Sequence, residues 1–282
     1  MKTKKRISLV LGSGGARGLA HIGIIRRLEE QGYEIVSISG CSIGALVGGF
    51  YAAGKLHEYE AWVRTLDALD IIKLLDFDGE GGLLSGKKLM KKLHTFVGDI
   101  KIESLRIKFT AIASDIEDEK EVWINSGNLL DAVRASISIP MFFAPFRLNG
   151  STLVDGGVLN PVPIAPTFGD DTDMTLAVNL GAKLSHQNLL GEPTQKEKSI
   201  ANSIKEYISK ISLKNSMLQK SMFGVANSSF DTMQANLSRM KLAAYPPDLL
   251  IDIPRDLCGM LEFNRANEII EYGYQKAKEV IG

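Results

Sequence analysis

Twice within the first 60 residues a short β-branched run meets a glycine-containing turn and then a helical pattern. Ile7-Ser8-Leu9-Val10-Leu11 reads as a strand, Gly12–Gly18 as a tight turn, and Leu19–Glu30 as a helix. Its apolar positions Ile22, Ile25 and Leu28 recur at helical spacing. Gly32 supplies a C-terminal stop. Ile35–Ile38 is a second strand, followed by another sharp turn and a buried helix from Gly44 to Ala53. Strand–helix alternation of this kind builds a parallel sheet covered on both faces by helices. Further strands are predicted at Lys108–Ser114, Val122–Asn125, Thr152–Val154, Met174–Asn179 and Leu249–Ile253. Further helices are predicted at His57–Leu66, Gly86–Val97, Leu129–Ser136, Ser199–Lys210, Met217–Leu242 (whole or broken) and Asn264–Ile281. Strand signals run from near residue 7 to near residue 253. One sheet therefore uses the whole chain, and residues 1–282 are expected to form one α/β domain with a helical, Met-containing segment at about 196–245. Gly181–Lys196, polar and without periodicity, reads as a surface loop.

Charge excludes one class of partner. Lys plus Arg and Asp plus Glu each number 33, so no global field favours nucleic acid. Lys2, Lys4, Lys5 and Arg6 form a basic cluster, read as a solubilising leader, with weak attraction to anionic lipid head groups as the alternative. The apolar run after it, Ile7–Leu11, is too short for a secretory h-region. Ile35–Gly54 carries no charge and has the length of a membrane span. Its five glycines and three serines, and its change of character midway, favour strand, turn and helix instead. Two cysteines, Cys41 and Cys258, make no disulfide framework and suggest a reducing compartment. The expectation is a cytoplasmic protein, with peripheral contact at the inner membrane face left open.

The turns carry the chemistry. Gly12-Ser13-Gly14-Gly15-Ala16-Arg17-Gly18 leaves backbone N–H groups free at a helix start, where an anion is stabilised. A dinucleotide fingerprint fails, because Arg17 or Ser13 stands where a glycine is required and no acidic residue follows the second strand. A P-loop fails for lack of Gly-Lys-Ser/Thr. The second turn, Gly40-Cys41-Ser42-Ile43-Gly44, matches G-x-S-x-G between a strand and an apolar helix, the setting in which a serine hydroxyl is held clear of a sheet.

Ser42 requires a base. An α/β-hydrolase order of Ser, Asp/Glu, His fits poorly, since Ser42 ends only the second strand and His186 is the one histidine downstream of Asp155. His21, His57 and His94 read as structural or solvated. Val154-Asp155-Gly156-Gly157 places a single carboxylate at the end of an apolar strand, before two glycines that permit close approach of another segment. A plain turn aspartate is the competing reading. Asp115–Glu121 and Asp170–Asp173 read as solvated turns, and neither an EF-hand nor a zinc set is present.

With these pieces assembled, the chain resembles the patatin-like phospholipases, whose pattern is a Gly-Gly-Gly-x-Arg-Gly loop, a G-x-S-x-G elbow and a later Asp-Gly-Gly/Ala. Here these correspond to Ser13–Gly18, Gly40–Gly44 and Asp155–Gly157. Gly18-Leu19-Ala20-His21-Ile22-Gly23, Ala135–Pro140 and Pro246–Ile251 are similar to the short bacterial RssA-type members. Ser13 in place of the first loop glycine is a departure expected to do little harm. The resemblance implies a three-layer α/β/α sandwich around a mainly parallel sheet and a Ser–Asp dyad without histidine or cofactor. Ser42 would attack an ester carbonyl and Asp155 would take its proton. The amides of Gly14, Gly15 and Ile43 would hold the oxyanion, with Gly12, Arg17, Gly18, Gly40, Gly44, Gly156 and Gly157 supporting the loops. The implied substrate is a lipid carboxylic ester, as for a phospholipase A or lysophospholipase. A thioesterase or general esterase would use the same residues, and a non-catalytic lipid-binding regulator is the reading from another class. Met217, Met222, Met233 and Met240, with Phe223 and Phe230, either pack a helix pair on the sheet or a second subunit, or line an acyl site or lid. Oligomeric state stays open.

Overall fold

The computed structural model describes residues 5–74, 76, 84–191 and 217–282. Its strands are β1 (Arg6–Leu11), β2 (Glu34–Cys41), β3 (Lys108–Asp115), β4 (Lys120–Ile124), β5 (Phe146–Leu148), β6 (Ser151–Asp155), β7 (Met174–Ala182) and β8 (Leu249–Pro254). The helices are α1 (Ala20–Glu30), α2 (Ile43–Ala52), α3 (Leu56–Val63), α4 (Ala68–Leu74), α5 (Lys87–Val97), α6 (Leu129–Ser136), α7 (Met217–Ala244) and α8 (Ala266–Ile281). They form a three-layer α/β/α arrangement around a mostly parallel sheet of order β5-β6-β3-β2-β1-β7-β8, with β4 on the remaining edge of β3.

The alternation of side chains along β1 sets the layers. Ile7, Leu9 and Leu11 join the main core with Leu28, Phe50 and Ile270 of the helices. Val10 faces the other way and packs with Ala177, Val162 and Ile164. The first helix, α1, lies against α8 so closely that a Cβ on Gly23 would stand 1.9 Å from the Ile270 carbonyl oxygen. Almost every residue of α2 is buried, which is why a stretch without charge can be a helix inside the protein core. Among the described residues no helix is long and apolar enough to cross a membrane.

The register of β3 positions the site. β2 runs parallel to it, with Cys41 opposite Ile112. β6 runs antiparallel to it, with Asp155 opposite Ala113. β4 occupies the other edge over Ala111–Asp115. β2 and β6 therefore lie end to end along one edge of β3, and their C-terminal residues meet.

Several elements depart from the sequence expectation. α4 and β5 have no counterpart in it. Of the two readings of Met217–Leu242, whole or broken, the structure has the unbroken helix, and α7 continues to Ala244. The predicted helix Ser199–Lys210 lies outside the described residues, as does the end of the predicted loop Gly181–Lys196, whose first residues extend β7 to Ala182. The acidic turns are also not simply solvated. Asp115 is buried and accepts the Glu117 and Asp118 amides, and Asp170 accepts from the Ser8 hydroxyl and pairs with Lys108.

Candidate active site

β1 and β2 sit inside the sheet, and β1 lies between β2, which follows it in the chain, and β7, which comes only after β6, so the strand order reverses at β1. Ligands bind beyond the carboxyl ends of strands at such a switch in order. Both glycine-containing turns stand at that end.

The turn after β2 is tight. Ser42 takes φ 56°, ψ −124°, a left-handed conformation that non-glycine residues adopt at a cost of about 1–3 kcal/mol and that marks functional elbows. The flanking glycines leave no room for side chains: a Cβ on Gly40 would lie 2.5 Å from the Gly44 carbonyl oxygen, and one on Gly44 would lie 2.1 Å from that of Leu11. A side chain from elsewhere holds the elbow. The Ser136 hydroxyl, at the end of α6, accepts the Ser42 N–H at 2.8 Å and donates to the Ile112 carbonyl at 2.5 Å.

Asp155 reaches the same place from β6. It is 1% exposed, against 2% for Ser42. Its Oδ1 accepts the Gly157 N–H at 2.7 Å, and its own N–H donates to the Ser138 carbonyl at 2.9 Å. Ser138 is in turn gripped by buried Arg134, whose guanidinium donates to the Ser138 hydroxyl and to the Ser85 and Ala144 carbonyls. Burial pushes the Asp155 carboxyl up to about 7, against the opposing pull of the Ser42 hydroxyl and the Gly157 amide. Its Oδ2 has no aligned hydrogen-bond partner among the described residues. A carboxyl group in this state exchanges its proton near neutral pH and has an oxygen free to do so. The neighbouring Cys41 thiol, 4.0 Å from Oδ1, is pushed well up by burial and by the Asp155 charge, so it stays protonated.

The glycine turn after β1 wraps this pair. Gly12 and Ser13 donate their amides to the Val178 and Pro161 carbonyls, and Ala16 donates to that of Met260. The amides of Gly14, Gly15 and Ile43 donate to no group among the described residues. Arg17 ties the turn down, donating from Nε to the Gly14 carbonyl at 2.9 Å and from a terminal nitrogen to that of Arg255 at 2.7 Å. A Cβ on Gly18 would lie 2.1 Å from the Ile43 side chain, so the two turns touch. Gly156 passes as close, 2.3 Å from the Ile112 carbonyl oxygen by the same measure.

From Ser42 an almost wholly apolar cavity of about 130 Å³ opens between α2, α3, α4 and α5, lined by Leu46, Tyr59, Val63, Ile71, Leu89 and Phe142 among others. Adjoining it, and sharing Gly15, Ser42, Ile139 and Met260 with it, lies a small recess also walled by Ser13, Arg17, Asp155, Phe230 and Gln234. None of the four histidines lines either space. His21 is buried under the turn with Nε2 3.0 Å from the Gly12 carbonyl, and burial lowers it to about 4, so it stays neutral. His57 is exposed, His94 faces Asp99, and His186 sits in an exposed loop tied by its backbone to Asp256. Among the described residues no cluster of three His, Cys, Asp or Glu side chains could hold a metal.

The structure thus gathers Ser42, Asp155, Gly14, Gly15, Ile43 and the supporting Gly12, Arg17, Gly18, Gly40, Gly44, Gly156 and Gly157 at one place. Sequence reasoning assigned no role to Ser136, Ser138 or Arg134, although the Ala135–Pro140 segment had stood out as a likeness. It also missed Gln234, whose one signal is an uncharged polar residue beside Ala235 and Ser238 on the buried side of α7.

The family model described as patatin-like phospholipase matches residues 9–168, the stretch that holds both turns, Asp155 and both following glycines. An uncharacterised NTE family protein of Mycobacterium tuberculosis is 36% identical over 98% of this chain and 91% of its own length. The lysophospholipase nte1 of Emericella nidulans is 29% identical over 98% of this chain, which spans only 18% of that protein. Neuropathy target esterase sws of Drosophila melanogaster is 32% identical over 65% of this chain and 14% of its own length. The crystal structure of VipD from Legionella pneumophila aligns with 98% of this chain and 67% of that one, at 14% identity and a TM-score of 0.48, too distant to bear on function. With the family pattern covering more than half of its residues and a full-length relative above 30% identity, this chain belongs to the patatin-like phospholipase family.

Proposed function

We propose that the protein is a serine acyl hydrolase for lipid carboxylic esters, of the lysophospholipase or phospholipase A type. The observation that carries this is the placement of Ser42, beside a buried carboxyl group and at the mouth of an apolar cavity. An acyl chain enters that cavity and brings its ester carbonyl over Ser42. The Ser42 oxygen attacks the carbonyl carbon as Asp155 Oδ2 takes the hydroxyl proton. The oxyanion forms against the amides of Gly14, Gly15 and Ile43, whose freedom from other partners leaves them pre-aimed. The start of α2 adds its positive dipole end. Asp155 then returns the proton to the leaving alcohol, and Ser42 keeps the acyl group until water releases it. A carboxyl held near 7 suits both halves of this exchange, because it is neither a wholly weak base nor a permanently protonated acid.

The direct test is hydrolysis of p-nitrophenyl esters of increasing chain length and of a lysophospholipid by wild type, Ser42→Ala and Asp155→Asn. Activity that grows with chain length and falls by at least about 10³-fold in both folded variants is expected. Full activity in Asp155→Asn would remove Asp155 as base, and a wild type inert on every ester would favour a lipid-binding regulator.

A further inference from the structure

The small recess at the Ser42–Asp155 pair has a size and a lining that the acyl cavity does not explain. It measures about 10 Å³, close to the smallest space that holds a single water molecule. Ser13, Arg17, Ser42, Asp155 and Gln234 bring polar groups to its wall beside the apolar Ile139, Phe230 and Met260, whereas the lining of the adjoining large cavity is almost purely apolar. Gln234 is 8% exposed, an uncommon place for an amide side chain on a long helix. Its Nε2 donates to the Ser13 hydroxyl at 3.5 Å, a long contact.

Gly157 shows how tightly these groups converge. A Cβ there would stand 2.0 Å from Gln234 Nε2, 2.8 Å from Ser13 Oγ and 3.0 Å from Asp155 Oδ1. The amide nitrogen and the carboxylate oxygen are therefore at most 5.0 Å apart, the sum of 2.0 and 3.0. Any residue but glycine at 157 would displace the amide. The residue at 13, where the family pattern has glycine, instead provides a hydroxyl that this amide meets.

We propose that Gln234, with Ser13, positions the water that hydrolyses the acyl-enzyme. The inference rests on the assignment of Ser42 and Asp155 above. With the acyl group on Ser42 and its chain in the apolar cavity, the recess that holds Asp155, Ser13 and Gln234 is where a small hydrophilic reactant finds hydrogen-bond partners. A water there accepts an N–H of Gln234 on one lone pair and donates a proton to Asp155. Its second lone pair is thereby aimed at the acyl carbonyl carbon. The water oxygen bonds to that carbon, Asp155 takes the proton, the bond from carbon to the Ser42 oxygen breaks, and the proton passes to that oxygen. Gln234 gains and loses no proton, so it is a positioning residue.

This role predicts a kinetic signature that general damage to the site does not share. Gln234→Met keeps length and burial but removes the donor, and Ser13→Gly restores the family glycine. On a p-nitrophenyl ester of medium chain, stopped-flow release of nitrophenolate should show a burst, with kcat for Gln234→Met about tenfold lower and KM lower in the same proportion. Because kcat/KM reports only the steps through acylation, it should stay at the wild-type value. Ser13→Gly should move in the same direction by a smaller factor. Burst amplitude counts competent sites, so partial misfolding of a variant does not mimic the effect. An unchanged kcat in both variants overturns the proposal, and so does a kcat/KM that falls as far as kcat without a burst. If Ser42→Ala retains the burst, the assignment of the nucleophile fails first, independently of Gln234.

Discussion

Holding a carboxyl group where water barely reaches it costs the folded protein free energy at neutral pH, and Asp155 is such a group. The unfolded chain releases this proton near 3.8, whereas the fold keeps it up to about 7. Between those values folding takes up a proton, so stability is highest below the window, falls as pH rises through it, and levels off above about 7. Asp155→Asn removes the charge and with it the penalty. The variant should therefore melt above wild type at pH 8 by the equivalent of a few kcal/mol, on the order of 1.4 kcal/mol per pH unit of the window, with the gap closing toward pH 4. A variant melting at or below wild type at pH 8 would show that the carboxylate is stabilised by something else. The same proton governs rate: kcat/KM for a neutral ester should rise with pH and reach half its plateau near 7, and a flat profile from pH 5 to 8 would contradict the role of Asp155. Ser136 presents a different expectation. Ser136→Ala leaves the Ser42 N–H buried without its acceptor, at a cost of about 1–3 kcal/mol, felt where the elbow is strained. Steady-state kinetics should show kcat/KM reduced about tenfold or more, with the fold intact by circular dichroism.

Among the elements, the sequence exposed those whose periodicity is their own and hid those fixed by a neighbour. α1, α2, α5, α6 and α8, and most of β1, β2, β3, β7 and β8, follow from apolar spacing and glycine stops. α4 is short and gains its helicity from packing Ile71 and Leu74 around the cavity, which no local pattern announces. β5 is three residues long and exists through its pairing with β6. The site was legible in the same uneven way. Ser42 and Asp155 stand out because glycines bracket them, whereas Ser136 and Gln234 act across 94 and 221 residues of chain and look like ordinary helix residues. Gly23 and Gly273 belong to this second kind. Each sits where α1 and α8 cross, and a Cβ at either would come within 2.2 Å of a carbonyl oxygen of the opposite helix. Gly23→Ala should separate the helices and lower the melting temperature by about 5 °C or more. A melting temperature unchanged within error would mean that the crossing is looser than the structure has it.

At the scale of the whole molecule, the proposed function sends the parts of a lipid ester to different neighbourhoods of one serine. On that proposal the acyl chain goes between the helices, and water meets Ser42 beside Asp155 and α7. Enlarging Val63, a cavity-lining residue of α3, tests the first half. Val63→Phe should shift the preferred p-nitrophenyl ester to shorter chains while activity on the acetate stays within about threefold, since each methylene excluded is worth about 1–3 kcal/mol. An unshifted optimum would place the chain elsewhere. The junction of β2 with β6 has a further consequence. Ser42 and Asp155 are 113 residues apart in sequence and are brought together by strands that do not pair with each other but each pair with β3. A chain emerging from the ribosome therefore exposes its serine long before it owns the partner carboxylate. With the dyad assigned as above, a half-made or mispaired copy is chemically silent, and the capacity to cut lipids arrives only when β6 joins β3.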